Sequence, residues 1–104
     1  MKRTKRRYLA LQVDSEGSHR PKEFIDAVWN AVTKLYGEYG ASRTSLKLID
    51  YDAEKKTAVI RTSLTTLGML KAAVASITSI ANNETTVHVK AVSGTIKSLQ
   101  QKLG

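Results

Sequence analysis

A short polar turn near the end of the chain, Ser93-Gly94-Thr95, has the residue types best suited to binding an anion. The residues before it alternate like a strand, and residues 96–103 place apolar side chains at helical spacing. Such a turn exposes backbone N–H groups that can hold a phosphate, and Lys97 and Lys102 add positive charge to the helix. The turn hydroxyls can instead cap the helix, and the sequence leaves both roles open.

Positive charge is the strongest signal in the composition. The 104 residues carry 17 Lys and Arg against 9 Asp and Glu, which gives a net charge of +8. The charge is densest in the first seven residues, which include Lys2, Arg3, Lys5, Arg6 and Arg7. Cations that neutralise phosphates release counterions, so the pattern favours a polyanionic partner. The alternative is a basic tail that only keeps the protein in solution.

Other kinds of chemistry find little support in the sequence. The chain has no cysteine, hence no disulfide or thiolate metal site, which suits an intracellular protein. It has no apolar run of membrane-spanning or signal-peptide length. Asp50, Asp52 and Glu54 alternate but lack the glycine turn and distal glutamate of a calcium loop, so we expect no metal site. His19 and His88 have no patterned partners and no nucleophile motif appears, so we expect no catalytic residues.

The elements that would position the turn follow from the hydrophobic periodicity. Alternation predicts strands over residues 8–13, 45–51, 57–62 and 86–92. Helical spacing predicts a helix that begins at Pro21 and ends near Gly37 and Gly40, a second over residues 66–81 and a third over residues 94–104. The predicted domain is single and covers residues 1–104, with a basic segment over residues 1–7.

This order predicts an α+β fold, a ferredoxin-like or RNA-recognition-like βαββαβ sandwich followed by a short C-terminal helix. Both long helices would cover one face of a four-stranded antiparallel sheet. The open face would carry Tyr8, Ala10, Gln12, Arg61, His88 and Lys90. The third strand has no aromatic residue and the first offers only Tyr8, so RNA binding through phosphates and shape is expected rather than base stacking on the sheet.

The first long helix is apolar over much of its circumference. Trp29 and Tyr36, seven residues apart, widen the stripe formed by Phe24, Val28 and Val32. Aromatic residues at this spacing are most often buried in the core, but a stripe of this width also suits contact with a protein partner. Both interpretations stay open at the level of the sequence.

Five short motifs, in order, resemble the archaeal ribonuclease P protein component 2 (Pop-five/Rpp-fourteen) family. They occupy residues 6–10, 27–31, 37–40, 60–61 and 92–97, and the likeness runs from about residue 6 to residue 102. The resemblance implies a cytoplasmic protein subunit of the ribonucleoprotein that removes 5′ leaders from precursor tRNA. It also implies that the RNA subunit supplies the active site with magnesium ions, that the protein binds no cofactor, and that it pairs with another protein subunit, the pair doubling into a heterotetramer.

From the charges and this resemblance we expect one set of side chains to contact the ribonuclease P RNA. The set consists of Lys2, Arg3, Lys5, Arg6, Arg7, Arg61, Lys90, Ser93, Gly94, Thr95, Lys97 and Lys102. Trp29 and Tyr36 are expected to contact the protein partner. Two alternatives are a general RNA-binding or ribosomal protein of the same fold, and a ferredoxin-like regulatory domain that binds a small ligand at a dimer edge. The basic N-terminal segment argues against the second.

Overall fold

The computed structural model describes residues 5–17 and 19–103, which form an α+β fold. The strands are β1 (Arg6–Ser15), β2 (Lys47–Asp52), β3 (Thr57–Ser63), β4 (Ser79–Ile80) and β5 (Asn83–Ser93). The helices are α1 (Pro21–Ser42), α2 (Leu67–Ser76) and α3 (Ile96–Leu103), with a 3-10 turn over Leu64–Thr66 before α2.

The strands form one antiparallel sheet in the order β2-β3-β1-β5-β4. The main core lies between one face of this sheet and the helices α1 and α2, with Leu9, Leu11, Phe24, Val28, Ile60 and Leu70 fully buried. Burial of such side chains contributes about 1.5–3 kcal/mol each, which makes this layer the chief source of stability. The α+β prediction is confirmed, whereas the predicted count of four strands is wrong because residues 79–80 form a fifth.

The second long helix ends five residues earlier than predicted. The backbone of Ile77, directly after α2, is extended, with φ −70° and ψ 124°. Ala81 and Asn82 both have positive φ, 51° and 68°, and form the two-residue turn that joins β4 to β5. Ile77 and Ile80 are both buried, and their spacing of three fits a helix as well as this extended segment. Periodicity alone therefore extended the helix too far.

A bulge in β5 changes which residues face the core. Leu11 is paired with Val89 but Ala10 with Ala91, so Lys90 is an extra residue in β5. The alternation of the sequence places Val87, Val89 and Ala91 on the core face and His88 on the open face. The structure agrees for Val87, Val89 and His88, but beyond the bulge the faces are reversed. Val92 packs against the core, and Ala91 lies with Ala10 on the opposite face.

Helix α1 changes direction at Gly37, whose φ of 77° and ψ of 172° are not helical. The helix nevertheless resumes and ends at Ser42, beyond the predicted end. Gly40 is buried, and a Cβ at this position would come within 2.7 Å of Tyr36 Cβ and 3.3 Å of Met69 Cε. The glycine thus allows the last turn of α1 to pack closely against α2.

Helix α3 covers part of the other face of the sheet, next to β5 and β1. Leu99 is 1% exposed and Ala10 is 4% exposed, although neither belongs to the main core. The Lys102 ammonium donates a hydrogen bond of 2.6 Å to the Val92 carbonyl. The face that the sequence predicts to be open is therefore partly covered, at Ala10, and stays open farther along β5, where the His88 side chain is 56% exposed.

Candidate nucleic-acid interface

The antiparallel register brings cations from separate parts of the chain to one end of the sheet. Arg6 is paired with Ser63, Tyr8 with Ser93 and Lys47 with Arg61, so β1 and β2 begin where β3 and β5 end. Helix α1 runs from the opposite end and is followed by Arg43, while α3 begins beside Ser93. We call this region the basic end; it comprises residues 5–7, Arg43, Lys47, Arg61 and residues 93–97.

Carboxylates gather at the opposite end of the same strands. Asp14 and Glu16 lie at the end of β1, Glu84 at the start of β5, and Asp52 and Glu54 in the β2–β3 hairpin. We call these five residues the acidic end; Lys55 and Lys56 in the hairpin, with Arg20 and Lys22 at the start of α1, offset most of its charge. The molecule is thus electrically polarised along its strands, which orients it toward a polyanion.

A row of side chains crosses the sheet at the basic end; it is exposed at Lys47 and buried at Ser93, where α3 begins. The register places Lys47, Arg61, Tyr8 and Ser93 side by side on four neighbouring strands. Arg61 is half-buried, and among the residues that the structure describes its Nε has no hydrogen-bond partner. Lys47, which the sequence-based set omits, is exposed at the end of this row. Lys47 belongs to the basic end because the strand order puts the starts of β1 and β2 at the same end of the sheet.

The turn at residues 93–95 is built as a helix cap. The Ser98 N–H donates to Thr95 Oγ1 at 3.1 Å, and the Thr95 N–H donates to Ser93 Oγ at 3.5 Å. The hydroxyls of Thr95 and Ser93 therefore cap α3, and contact between the turn and a phosphate stays a prediction. Gly94 lies beside the Arg7 guanidinium, since a Cβ on it would come within 3.3 Å of Arg7 Nη1. The turn and the basic strand, far apart in sequence, are neighbours.

The other predicted RNA contacts are more scattered. Lys5 is exposed and its carbonyl accepts the Leu64 N–H at 2.8 Å, and Lys97 is exposed in the first turn of α3. Lys90 lies at the bulge in the middle of the sheet, away from the basic end. Lys102 is in the last turn of α3, but its ammonium is bound to the Val92 carbonyl next to Ser93, so its charge lies beside the basic end. Lys2 and Arg3 lie outside the described residues.

The two aromatic residues assigned to a protein partner lie on the surface of α1. Trp29 is 41% exposed and Tyr36 is 40% exposed, with Leu35 at 47%. The wide apolar stripe of α1 is therefore only partly covered by the sheet and α2. A cavity of about 520 Å³ between α1 and residues 76–81 is lined by none of the residues predicted to bind RNA.

Buried hydroxyl groups hold the basic end together, a feature that sequence reasoning missed. Thr62 Oγ1 donates to the Thr44 carbonyl at 2.9 Å and lies 3.0 Å from Thr66 Oγ1, which in turn is 2.5 Å from Ser63 Oγ. All four residues are at most 2% exposed. The cluster joins Thr44, the residue after Arg43, to the end of β3, where Ser63 is paired with Arg6. The position of Arg43 relative to Arg6 is therefore fixed.

Both histidines lie away from the basic end. His19 is 4% exposed, with Nε2 3.1 Å from Ser15 Oγ, and His88 Nε2 is 3.1 Å from Asp14 Oδ2. Asp52 Oδ1 accepts the N–H groups of Glu54 and Lys55 at 3.0 Å each, so this carboxylate closes the hairpin. Across residues 5–17 and 19–103, no three His, Asp or Glu side chains are grouped to hold a metal ion.

In the part of the chain that the structure describes, none of the helices has the length and apolar character needed to cross a bilayer. An α+β sheet whose cations gather at one end is arranged as in small proteins that bind polyanions. Comparison with known proteins identifies the family within this class. The chain belongs to the Rpp14/Pop5 family, whose model matches residues 7–104.

Curated relatives support this assignment over nearly the full chain. Ribonuclease P protein component 2 of Pyrococcus furiosus is 33% identical over 100 residues, which cover 96% of this chain and 83% of the relative. The protein of the same name from Methanosarcina acetivorans is 30% identical over 100 residues, 96% of this chain and 74% of the relative. The family predicted from the five short motifs is confirmed.

A solved structure shares the fold despite low sequence identity. A chain in the cryo-EM structure of yeast ribonuclease MRP superposes with a TM-score of 0.74 at 13% identity, and the match covers 99% of this chain and 94% of that one. At this level of identity the likeness supports the fold.

Proposed function

We propose that this chain is a protein subunit of a ribonuclease P ribonucleoprotein and that its basic end binds the phosphates of the RNA subunit. The observation that carries the proposal is the gathering of Lys5, Arg6, Arg43, Lys47 and Arg61 at one end of the sheet in a member of the Rpp14/Pop5 family. Phosphate contacts of this kind supply most of the sequence-independent affinity for nucleic acid.

In this proposal the protein supports the RNA and performs no bond cleavage itself. The RNA subunit removes the 5′ leader of precursor tRNA with magnesium ions that it binds, and the protein's cations lower the repulsion between RNA phosphates. Fewer magnesium ions are then needed to hold the catalytic RNA in its active form. The names of the curated relatives support the precursor-processing role.

A second protein subunit is proposed to bind the exposed stripe of α1, centred on Trp29 and Tyr36. Their partial exposure supports this, because a monomer seldom leaves several large apolar side chains on one helix in water. Doubling of the protein pair into a heterotetramer is part of the same proposal. We further infer that β4 is an addition to a ferredoxin-like arrangement of the other four strands, which their order and the common face of α1 and α2 support.

The proposal is tested by the salt dependence of binding to the ribonuclease P RNA. The triple variant Lys5→Gln, Arg6→Gln, Lys97→Gln removes three charges from the basic end. The matched control Lys22→Gln, Lys55→Gln, Lys71→Gln removes three exposed charges elsewhere. Loss of three phosphate contacts should lower the log–log salt slope by roughly 2–3, and the control should leave it nearly unchanged. Equal slopes for the two triples would overturn the assignment of the basic end.

A further inference from the structure

The basic end adjoins an exposed aromatic ring that the proposed function does not use. Tyr39 is 79% exposed, about twice as much as Trp29 or Tyr36. The guanidinium carbon of Arg43 lies 6.0 Å from the centre of the Tyr39 ring. Neither residue belongs to the set of RNA contacts predicted from the sequence.

The segment that carries this pair is held firmly. The kink at Gly37 separates residues 38–42 from the rest of α1, and Gly40 packs against Tyr36 and Met69. Ser42 Oγ donates to the Tyr39 carbonyl at 2.8 Å. An exposed ring on a fixed backbone is pre-organised for contact, because little conformational entropy remains to be lost.

The pair is continuous with the basic end. The Arg43 carbonyl accepts a hydrogen bond from Ser63 Oγ at 3.4 Å, and the Ser63 N–H donates to the Thr44 carbonyl at 2.9 Å. Ser63 is itself paired with Arg6 across β1 and β3. The ring of Tyr39 therefore lies at the border of a surface already occupied by cations.

The charges favour a nucleic acid over a protein as occupant of this pair. Within the described ranges, Arg43 makes no ion pair with a carboxylate, so its charge is available to a ligand. Glu38 is a carboxylate on the same segment but lies outside the basic end. The side chains of the basic end itself are cationic or neutral. Aromatic rings next to Arg or Lys are the usual platforms for bases of single-stranded nucleic acid.

We propose that Tyr39 and Arg43 bind one unpaired nucleotide of the RNA, whose base stacks on the Tyr39 ring while the Arg43 guanidinium contacts its phosphate. The inference rests on the proposed function and adds a base-stacking contact to a surface otherwise made of phosphate contacts. Because every base has a stacking face, the site accepts any unpaired nucleotide and rejects a base within a duplex.

The test compares single-stranded and duplex RNA. Fluorescence anisotropy measures the affinity of the full chain for a labelled 12-nucleotide oligoadenylate and for a 12-base-pair RNA duplex. Tyr39→Leu should weaken binding of the single strand roughly 5- to 100-fold, as removal of one stacking platform does, and leave duplex binding and the salt slope unchanged. Tyr39→Phe should bind as the wild type does, and Trp29→Leu is the control for an exposed aromatic residue outside the site.

A second readout reports stacking directly. In a Trp29→Phe background, Tyr39→Trp places the only tryptophan at the proposed site. Oligoadenylate should quench its fluorescence, whereas heparin, a polyanion without bases, should not. Equal quenching by both, or loss of protein-partner binding without loss of RNA binding in Tyr39→Leu, would overturn the inference and leave the role of the basic end standing. If the Lys5, Arg6, Lys97 triple variant also binds RNA normally, the proposed function itself fails.

Discussion

Single hydroxyl groups decide how the basic end is held together. Thr44 and Thr62 are fully buried, and their hydrogen bonds connect the end of α1 with the end of β3. The sequence showed Thr and Ser at these positions but gave no period or motif that would join residue 44 to residue 62. Pairing across 18 residues depends on the tertiary fold, so reasoning from local pattern could not find it.

The first prediction at this scale concerns Thr62. Thr62→Val keeps the volume of the side chain but removes the hydroxyl that donates to the Thr44 carbonyl. That buried carbonyl then keeps only its hydrogen bond from the Ser63 N–H. We expect a loss of about 1–3 kcal/mol in the free energy of unfolding, measured with urea. Thr57→Val, on the same strand but half-buried, serves as the control and should change stability far less. Equal effects would contradict a special role for the hydroxyl cluster.

The second prediction concerns Tyr51. Burial raises the pKa of its phenol above the ordinary value of 10.0, a hydrogen bond from the His19 backbone opposes this, and the charge of Glu23 adds to it. Well below pH 10 the phenol is neutral in both states, and the stability it contributes is fully present. As the pH rises further, the unfolded state loses its proton first, so the free energy of unfolding falls.

Urea unfolding of the wild type and Tyr51→Phe over the range of about pH 8–11 measures this linkage. The variant lacks the titrating phenol, so it should lose less stability than the wild type as the pH rises. An identical decline in both proteins would show that Tyr51 is not the group responsible.

At the scale of elements, strands and helices with strong periodicity were predictable, and their ends were not. β1, β3 and α1 were located from alternation, Pro21 and the apolar stripe, because local preference and tertiary packing agree there. The helix over residues 66–81 was predicted too long because Ile77 and Ile80 satisfy two periods at once. The bulge at Lys90 was missed because the alternation of apolar and polar residues continues through it to Ala91.

Helix α3 provides a test at this scale, since its packing rests mainly on Leu99. Leu99→Ala should release α3 from β5 and β1 without unfolding the main core, which does not include Leu99. Hydrogen exchange should then accelerate in residues 96–103 and stay slow in β1. Ser98→Ala, on the exposed side of the same helix, is the control. Equal acceleration in β1 would show that α3 is part of the cooperative core.

At the scale of the whole molecule, the main feature is the separation of charge between the basic end and the acidic end. The basic N-terminal segment was evident from the sequence. Arg43 and Lys47 were not assigned to it, because their proximity to Arg6 depends on the shared end of β1 and β2. The aromatic residues Trp29 and Tyr36 could be placed on α1, but only the structure shows that both stay about 40% exposed.

This polarity gives a prediction for RNA binding that does not depend on net charge. Arg43→Glu at the basic end and Lys55→Glu at the acidic end change the net charge equally. Only the first should weaken binding of the ribonuclease P RNA at low salt, because the second lies in the β2–β3 hairpin, at the opposite end of the strands. Equal loss in a filter-binding assay would indicate a general charge effect instead of an oriented surface.

We expect the basic end to support the catalytic RNA, and cleavage of precursor tRNA measures this support. The holoenzyme is reconstituted from the RNA, the partner subunit and this chain, and the initial rate is measured across magnesium concentrations. Deletion of residues 1–7, or Lys97→Ala, should raise the magnesium concentration needed for half-maximal cleavage. Lys55→Ala should not. An unchanged magnesium requirement in both basic-end variants would show that the basic end does not support the catalytic RNA.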